Sequence, residues 1–79
     1  MSPPFANVAH GTPEALREFI AENAGLARIQ AELAETFAAI GDDTGLEYAV
    51  RRLAAYTKAA LDTLADLKKH KMEGAREHL

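Results

Sequence analysis

The stretch Gly41-Asp42-Asp43-Thr44-Gly45 separates two long helix-forming segments and decides the fold predicted for this chain. Gly41 suits the left-handed position that follows a helix, and either Asp43 or Thr44 can cap the helix that begins next. A connection of five residues between two long helices is typical of an antiparallel hairpin. The sequence therefore predicts an all-α fold with helices over residues 12–40 and 44–77.

The composition supports a helical domain and excludes several classes of protein. The chain of 79 residues contains 17 Ala and 9 Leu and no Cys. Ala and Leu are strong helix formers, and the absence of Cys excludes disulfide frameworks and thiolate chemistry. A chain this short forms one thin core. We therefore expect a single helical domain over residues 12–79, preceded by an extended, proline-containing arm over residues 1–11.

The start of the first helix is marked more clearly than its middle. Thr12-Pro13-Glu14 combines a hydroxyl N-cap, a proline at the first helical position and an acid in the first turn. Gly25 lies further along, where the apolar stripe shifts by about 100° around the helix. We expect one continuous helix that tolerates Gly25; the alternative is a break there and a three-helix bundle.

Both predicted helices carry apolar stripes that are wider than a single neighbouring helix can cover. The sequence therefore predicts that the hairpin dimerises into an antiparallel four-helix bundle, or that a protein partner supplies the missing helices. The predicted oligomer face consists of large apolar residues from both helices: Leu26, Ile29, Leu33, Phe37, Ile40, Leu46, Val50, Leu53, Leu64 and Leu67.

The sequence offers no group of residues that predicts catalysis. No hydroxyl residue lies in a glycine-flanked elbow, and no glycine-rich loop is suited to phosphate. His70, Glu73 and Glu77 share one helical face at a spacing that could bind Zn²⁺ or Mn²⁺. The same spacing is ordinary at a solvated helix end. We expect neither an enzyme, nor a cofactor, nor a bound metal.

The two ends of the second helix carry the remaining candidates for binding. Tyr48, with Arg51 and Arg52 close by, forms a possible partner-binding site because aromatic and arginine side chains are enriched in binding hot spots. At the other end, Lys68-Lys69-His70-Lys71 is a basic cluster whose three lysines could contact phosphates. The net charge of −3 and the pI of about 5.5 do not favour nucleic acid as a partner.

The chain shows neither a positively charged leader nor 18 consecutive apolar residues, so we expect a cytoplasmic protein with no membrane contact. Taken together, these features predict a non-enzymatic interaction module, a small homo-oligomeric adaptor, regulator or assembly factor. The alternative is a small nucleic-acid-binding regulator that uses Lys68, Lys69 and Lys71.

Overall fold

A computed structural model of the chain describes residues 11–77, with side chains described over residues 11–74. Two helices account for nearly all of this range: α1, Pro13–Ile40, has 28 residues and α2, Asp43–Glu77, has 35. The two helices pack against each other, which confirms the predicted all-α hairpin. The predicted N-terminal arm lies, apart from Gly11, outside the described residues.

The helix α1 begins as predicted and continues without a break. Thr12 caps it, because the Thr12 hydroxyl accepts a hydrogen bond from the Ala15 N–H at 3.1 Å, and Pro13 occupies the first turn. The helix then runs through Gly25. The three-helix alternative is therefore wrong, because a glycine in a helix interior costs only about 1 kcal/mol and packing along the rest of the helix offsets it.

A Schellman motif ends α1. Gly41 adopts the predicted left-handed conformation, with φ 73° and ψ 23°. Its N–H donates to the Ala38 carbonyl at 3.3 Å, and the Asp42 N–H donates to the Phe37 carbonyl at 2.9 Å. These two bonds satisfy carbonyls that the helix end would leave without partners, and they reverse the chain within two residues.

The connection between the helices is shorter than the five residues predicted, because only Gly41 and Asp42 lie outside α1 and α2. Asp42 is the N-cap of α2: its carboxylate Oδ1 accepts a hydrogen bond from the Gly45 N–H at 2.9 Å. The predicted caps Asp43 and Thr44 instead lie in the first turn of α2. Asp caps a helix as well as Thr does, and the Schellman motif has already turned the chain at Asp42.

The seam between the helices is formed by residues spaced alternately by three and four positions. These side chains are buried or half-buried, in contrast to most of their neighbours. In α1 they are Leu16, Ile20, Asn23, Ala27, Gln30, Ala34 and Phe37, and in α2 they are Leu46, Ala49, Leu53, Tyr56, Ala60, Thr63 and Leu67. Large side chains occupy the two ends of the seam, and its middle is mainly small or polar.

Two polar residues of the seam donate hydrogen bonds within their own helices, and a third has an oxygen without a partner. Asn23 donates from Nδ2 to the Phe19 carbonyl at 2.9 Å, and Thr63 donates from its hydroxyl to the Ala59 carbonyl at 2.8 Å. Gln30 Oε1 is buried and has no hydrogen-bond partner among the described residues. On the α1 side, the middle of the seam therefore buries polar and small side chains in place of large apolar ones.

Candidate interaction surface

Large apolar side chains are exposed along the whole hairpin. Among residues 11–74, Ala49 is the one fully buried hydrophobic residue. Exposure of the large side chains runs from 40% for Leu26 to 69% for Ile40. Ten side chains share this property: Phe19, Leu26, Ile29, Leu33, Ile40, Tyr48, Val50, Leu61, Leu64 and Met72. Scattered exposed apolar residues are normal, but contiguous patches indicate an interaction site.

Five of these residues form one continuous row on α1, which we call the α1 stripe: Phe19, Leu26, Ile29, Leu33 and Ile40. Four of them recur at intervals of seven residues, so they share one direction along the helix. The row is about 32 Å long at 1.5 Å per residue, and it lies about 90° around the helix from the seam. The α1 stripe is thus a second apolar face that α2 does not cover.

The exposed apolar residues of α2 form a separate row, the α2 stripe: Val50, Leu61 and Leu64. This row is displaced by about 100° from the α2 seam, in the opposite rotational sense to the α1 stripe. Because the helices are antiparallel, displacements of opposite sense place the two stripes on opposite sides of the hairpin. We call the side with the α1 stripe side one and the side with the α2 stripe side two.

The predicted oligomer face is therefore divided into three parts. Phe37, Leu46, Leu53 and Leu67 lie half-buried in the seam. Leu26, Ile29, Leu33 and Ile40 belong to side one, and Val50 and Leu64 belong to side two. The predicted face also omitted Phe19 and Leu61. Their spacing could have revealed them, because Phe19 precedes Leu26 by seven residues and Leu61 precedes Leu64 by three.

The aromatic and arginine residues near the start of α2 do form a cluster, but with a different membership from the one predicted. The Arg52 guanidinium lies 5.4 Å from the ring centre of Tyr48 and 5.5 Å from that of Tyr56. It donates to the Tyr56 hydroxyl at 2.6 Å and to the Tyr48 hydroxyl at 3.4 Å. Arg51 instead pairs with Glu47 at 2.8 Å. The two tyrosine rings hold Arg52 in place.

Arg52 differs from its neighbours in having no carboxylate within ion-pair distance among the described residues. Arg51 has Glu47, and Lys58 has Asp62 at 2.8 Å. The hydrogen bond and the charge of Asp62 raise the pKa of Lys58 above 10.5. Arg52 is also half-buried, so it is a partly desolvated cation that lacks an anion. A carboxylate from a binding partner would suit it.

The basic cluster does not form one row. Lys68, Lys69 and Lys71 are all exposed, but they spread over about 160° around α2. Lys69 lines a shallow groove together with Asp66 and Glu73. Lys68 and Lys71 are three positions apart and share a face, whereas Lys69 lies about 100° from Lys68, so one face offers two of the three lysines to a phosphate.

The same groove contains part of the metal candidate. His70 and Glu73 line it, beside Leu16 at the start of α1. The side chain of Glu77 lies outside the described residues. Within residues 11–74, no three His, Cys, Asp or Glu side chains are arranged so that they could hold a metal ion.

In the described range, neither helix contains a stretch that is both long and apolar enough to cross a membrane. Comparison with protein-family models, with curated proteins and with solved structures finds no match to this chain. The function must therefore be inferred from the surfaces of the hairpin.

Proposed function

We propose that this chain is a non-enzymatic interaction module that self-associates into a homodimeric four-helix bundle and acts as a small adaptor, regulator or assembly factor. One observation carries the proposal. The large apolar side chains lie on the outer sides of the hairpin, whereas small and polar residues fill most of the middle of the seam. Such a distribution suits a surface that another helical layer covers.

The free energy available from covering the α1 stripe is large enough to matter. Full burial of a large apolar side chain stabilises by about 1.5–3 kcal/mol, and these five side chains are already partly buried. Covering the rest of each gives roughly 1 kcal/mol, or about 10 kcal/mol for both copies of a dimer. Association costs about 4–15 kcal/mol, so contacts from α2 are needed as well.

The dimensions of the hairpin also suit a stable dimer. The helix α1 is about 42 Å long, and two adjacent helices are about 20 Å wide. One side of the hairpin therefore offers roughly 840 Å², close to the ~800 Å² per partner of a specific interface.

Sedimentation equilibrium at micromolar concentration tests this proposal. We expect a species of twice the chain mass of 8.5 kDa. The substitution Leu33→Glu places a charge in the α1 stripe, so the species should shift towards the monomer. The matched control Ala21→Glu adds the same charge to an exposed position of α1 that points away from the seam and from the α1 stripe, and the dimer should persist. A helical monomer of the unaltered chain at this concentration would overturn the proposal.

A further inference from the structure

Side one carries two rows of residues with the same spacing of seven. On α1 the row is Phe19, Leu26 and Leu33, and on α2 it is Arg52, Ala59 and Asp66. On each helix the row lies about 90° around from the seam residues, and the rotational sense is the same on both helices. In an antiparallel hairpin, displacements of the same sense bring both rows to the same side.

The centres of the two rows, Leu26 and Ala59, lie at nearly the same position along the length of the hairpin. At the loop end, Phe37 lies beside Gly45, where an added Cβ would be 2.8 Å from Phe37 Cδ1. At the other end, Leu16 lines the groove that Lys69 also lines. Interpolation between these contacts places Leu26 level with residues 57–58, about 2 Å along α2 from Ala59. Leu26 and Ala59 are also close to the middle of their helices, Pro13–Ile40 and Asp43–Glu77.

We propose that side one binds a second copy of this chain, with the two loops at opposite ends. The two-fold axis lies between the two copies and runs across both helices at the level of Leu26 and Ala59. This inference rests on the proposed self-association. Each helix then packs on its own counterpart. Leu26 meets Leu26 of the partner subunit, and Phe19 meets Leu33 of the partner subunit, which occurs twice by symmetry.

The charges of α2 complete the same arrangement. Arg52 meets Asp66 of the partner subunit, and this pair also occurs twice. Neither residue has an ion-pair partner within the described part of its own chain. Between the two pairs lie Ala55 and Ala59, whose small side chains let the two copies of α2 approach closely. The interface is therefore complementary to itself in shape and in charge.

The other symmetric arrangement, with both loops at the same end, does not offer these contacts. It would place α1 of one copy on α2 of the other, with Arg52 at the level of Ile29 and Leu33 of the partner subunit. Both of these residues are apolar, so the guanidinium would be covered without an anion.

Cysteine cross-linking tests the position of the axis, and the chain contains no Cys that would interfere. The substitution Ala59→Cys places two thiols across the axis, close enough for a disulfide. Mild oxidation should convert most of this variant into a covalent dimer. The control Ala65→Cys, on the outer face of α2, and Leu61→Cys, on side two, should stay mostly uncrosslinked. Efficient cross-linking at Leu61→Cys with none at Ala59→Cys would overturn the arrangement, even if sedimentation still shows a dimer.

A charge exchange tests the ion pairs. Arg52→Asp and Asp66→Arg should each raise the dimer Kd by about tenfold or more, because each homodimer then contains like charges in both pairs. A mixture of the two variants restores opposite charges in both pairs, so a heterodimer of nearly the original affinity should form. Arg51→Asp, which removes the neighbouring exposed ion pair with Glu47, is the control and should leave Kd almost unchanged. A mixture that remains as weak as its components would overturn the pairing. A monomeric unaltered chain would overturn the proposed function itself.

Discussion

Two glycines in the helices should respond to the same alanine substitution with opposite sign. Gly25 lies in the middle of α1, and a Cβ added there would meet nothing within 4 Å. Alanine is more favourable than glycine in a helix interior by about 0.8–1.0 kcal/mol. Gly25→Ala should therefore raise the free energy of unfolding by about 1 kcal/mol, which corresponds to an increase in Tm of about 4–8 °C in a domain of this size.

Gly45 lies in the first turn of α2, where the surroundings are crowded. An added Cβ would be 2.8 Å from Asp42 Oδ2, 2.8 Å from Phe37 Cδ1 and 2.9 Å from Phe37 Cε1. Moving a packed side chain to make room costs about 1–3 kcal/mol, and disturbing the capping carboxylate costs about 1 kcal/mol more. These costs exceed the gain in helix propensity, so Gly45→Ala should lower the free energy of unfolding by about 1–3 kcal/mol.

Urea unfolding followed by circular dichroism measures both effects. All variants need the same protein concentration, because self-association makes the apparent stability depend on concentration. If Gly25→Ala fails to stabilise the protein, α1 is not a continuous helix through that position. If Gly45→Ala stabilises it as much as Gly25→Ala does, Phe37 does not pack over the loop, and the short Schellman connection is wrong.

Three further substitutions test local features of the hairpin. Asp42→Ala removes the cap of α2 and should lower the free energy of unfolding by about 1 kcal/mol in urea, with Asp43→Ala as a nearly neutral control. Gln30→Met removes a buried oxygen that lacks a partner, so the same experiment should show stabilisation by about 1 kcal/mol. Asp62→Asn should return the pKa of Lys58 towards 10.5 in an NMR titration, with little change in stability near neutral pH because the pair is exposed.

The ends of the helices were predictable because caps are local. Thr12, Pro13 and Gly41 each act through groups within a few residues of themselves, so the sequence alone identifies them. The choice among neighbouring acids was not predictable in the same way. Asp42 and Asp43 are equally suited to capping, and the choice follows from how tightly the Schellman motif turns the chain.

The identity of the seam could not be read from periodicity, because α1 carries two patterns with the same seven-residue period. One contains the large residues Leu26 and Leu33, and the other contains Asn23, Ala27 and Gln30. Hydrophobicity alone favours the first pattern for the interior. The structure uses the second, in which Ala27 is small enough to let the two helices approach closely.

The loop fixes where the seam begins. Only two residues separate α1 from α2, so the last turn of one and the first turn of the other must face each other. Phe37, which lies beside Gly45, and Leu46 are both half-buried at the loop end. One turn before Phe37, α1 offers Leu33 at a step of four and Ala34 at a step of three, and the half-buried residue is Ala34. From there the seam continues to Gln30 and Asn23, and the large residues are left on side one.

The separation of the two stripes makes a further distinction testable. A dimer through side one covers the α1 stripe but leaves the α2 stripe exposed, at Leu61 by 62% in each copy. Leu61→Glu should therefore leave the sedimentation mass of the dimer unchanged, whereas Leu33→Glu should reduce it. The reverse ranking would place the interface on side two. If both variants are monomeric, the bundle needs both sides, and more than two copies must then pack together, because one copy cannot cover opposite sides of another.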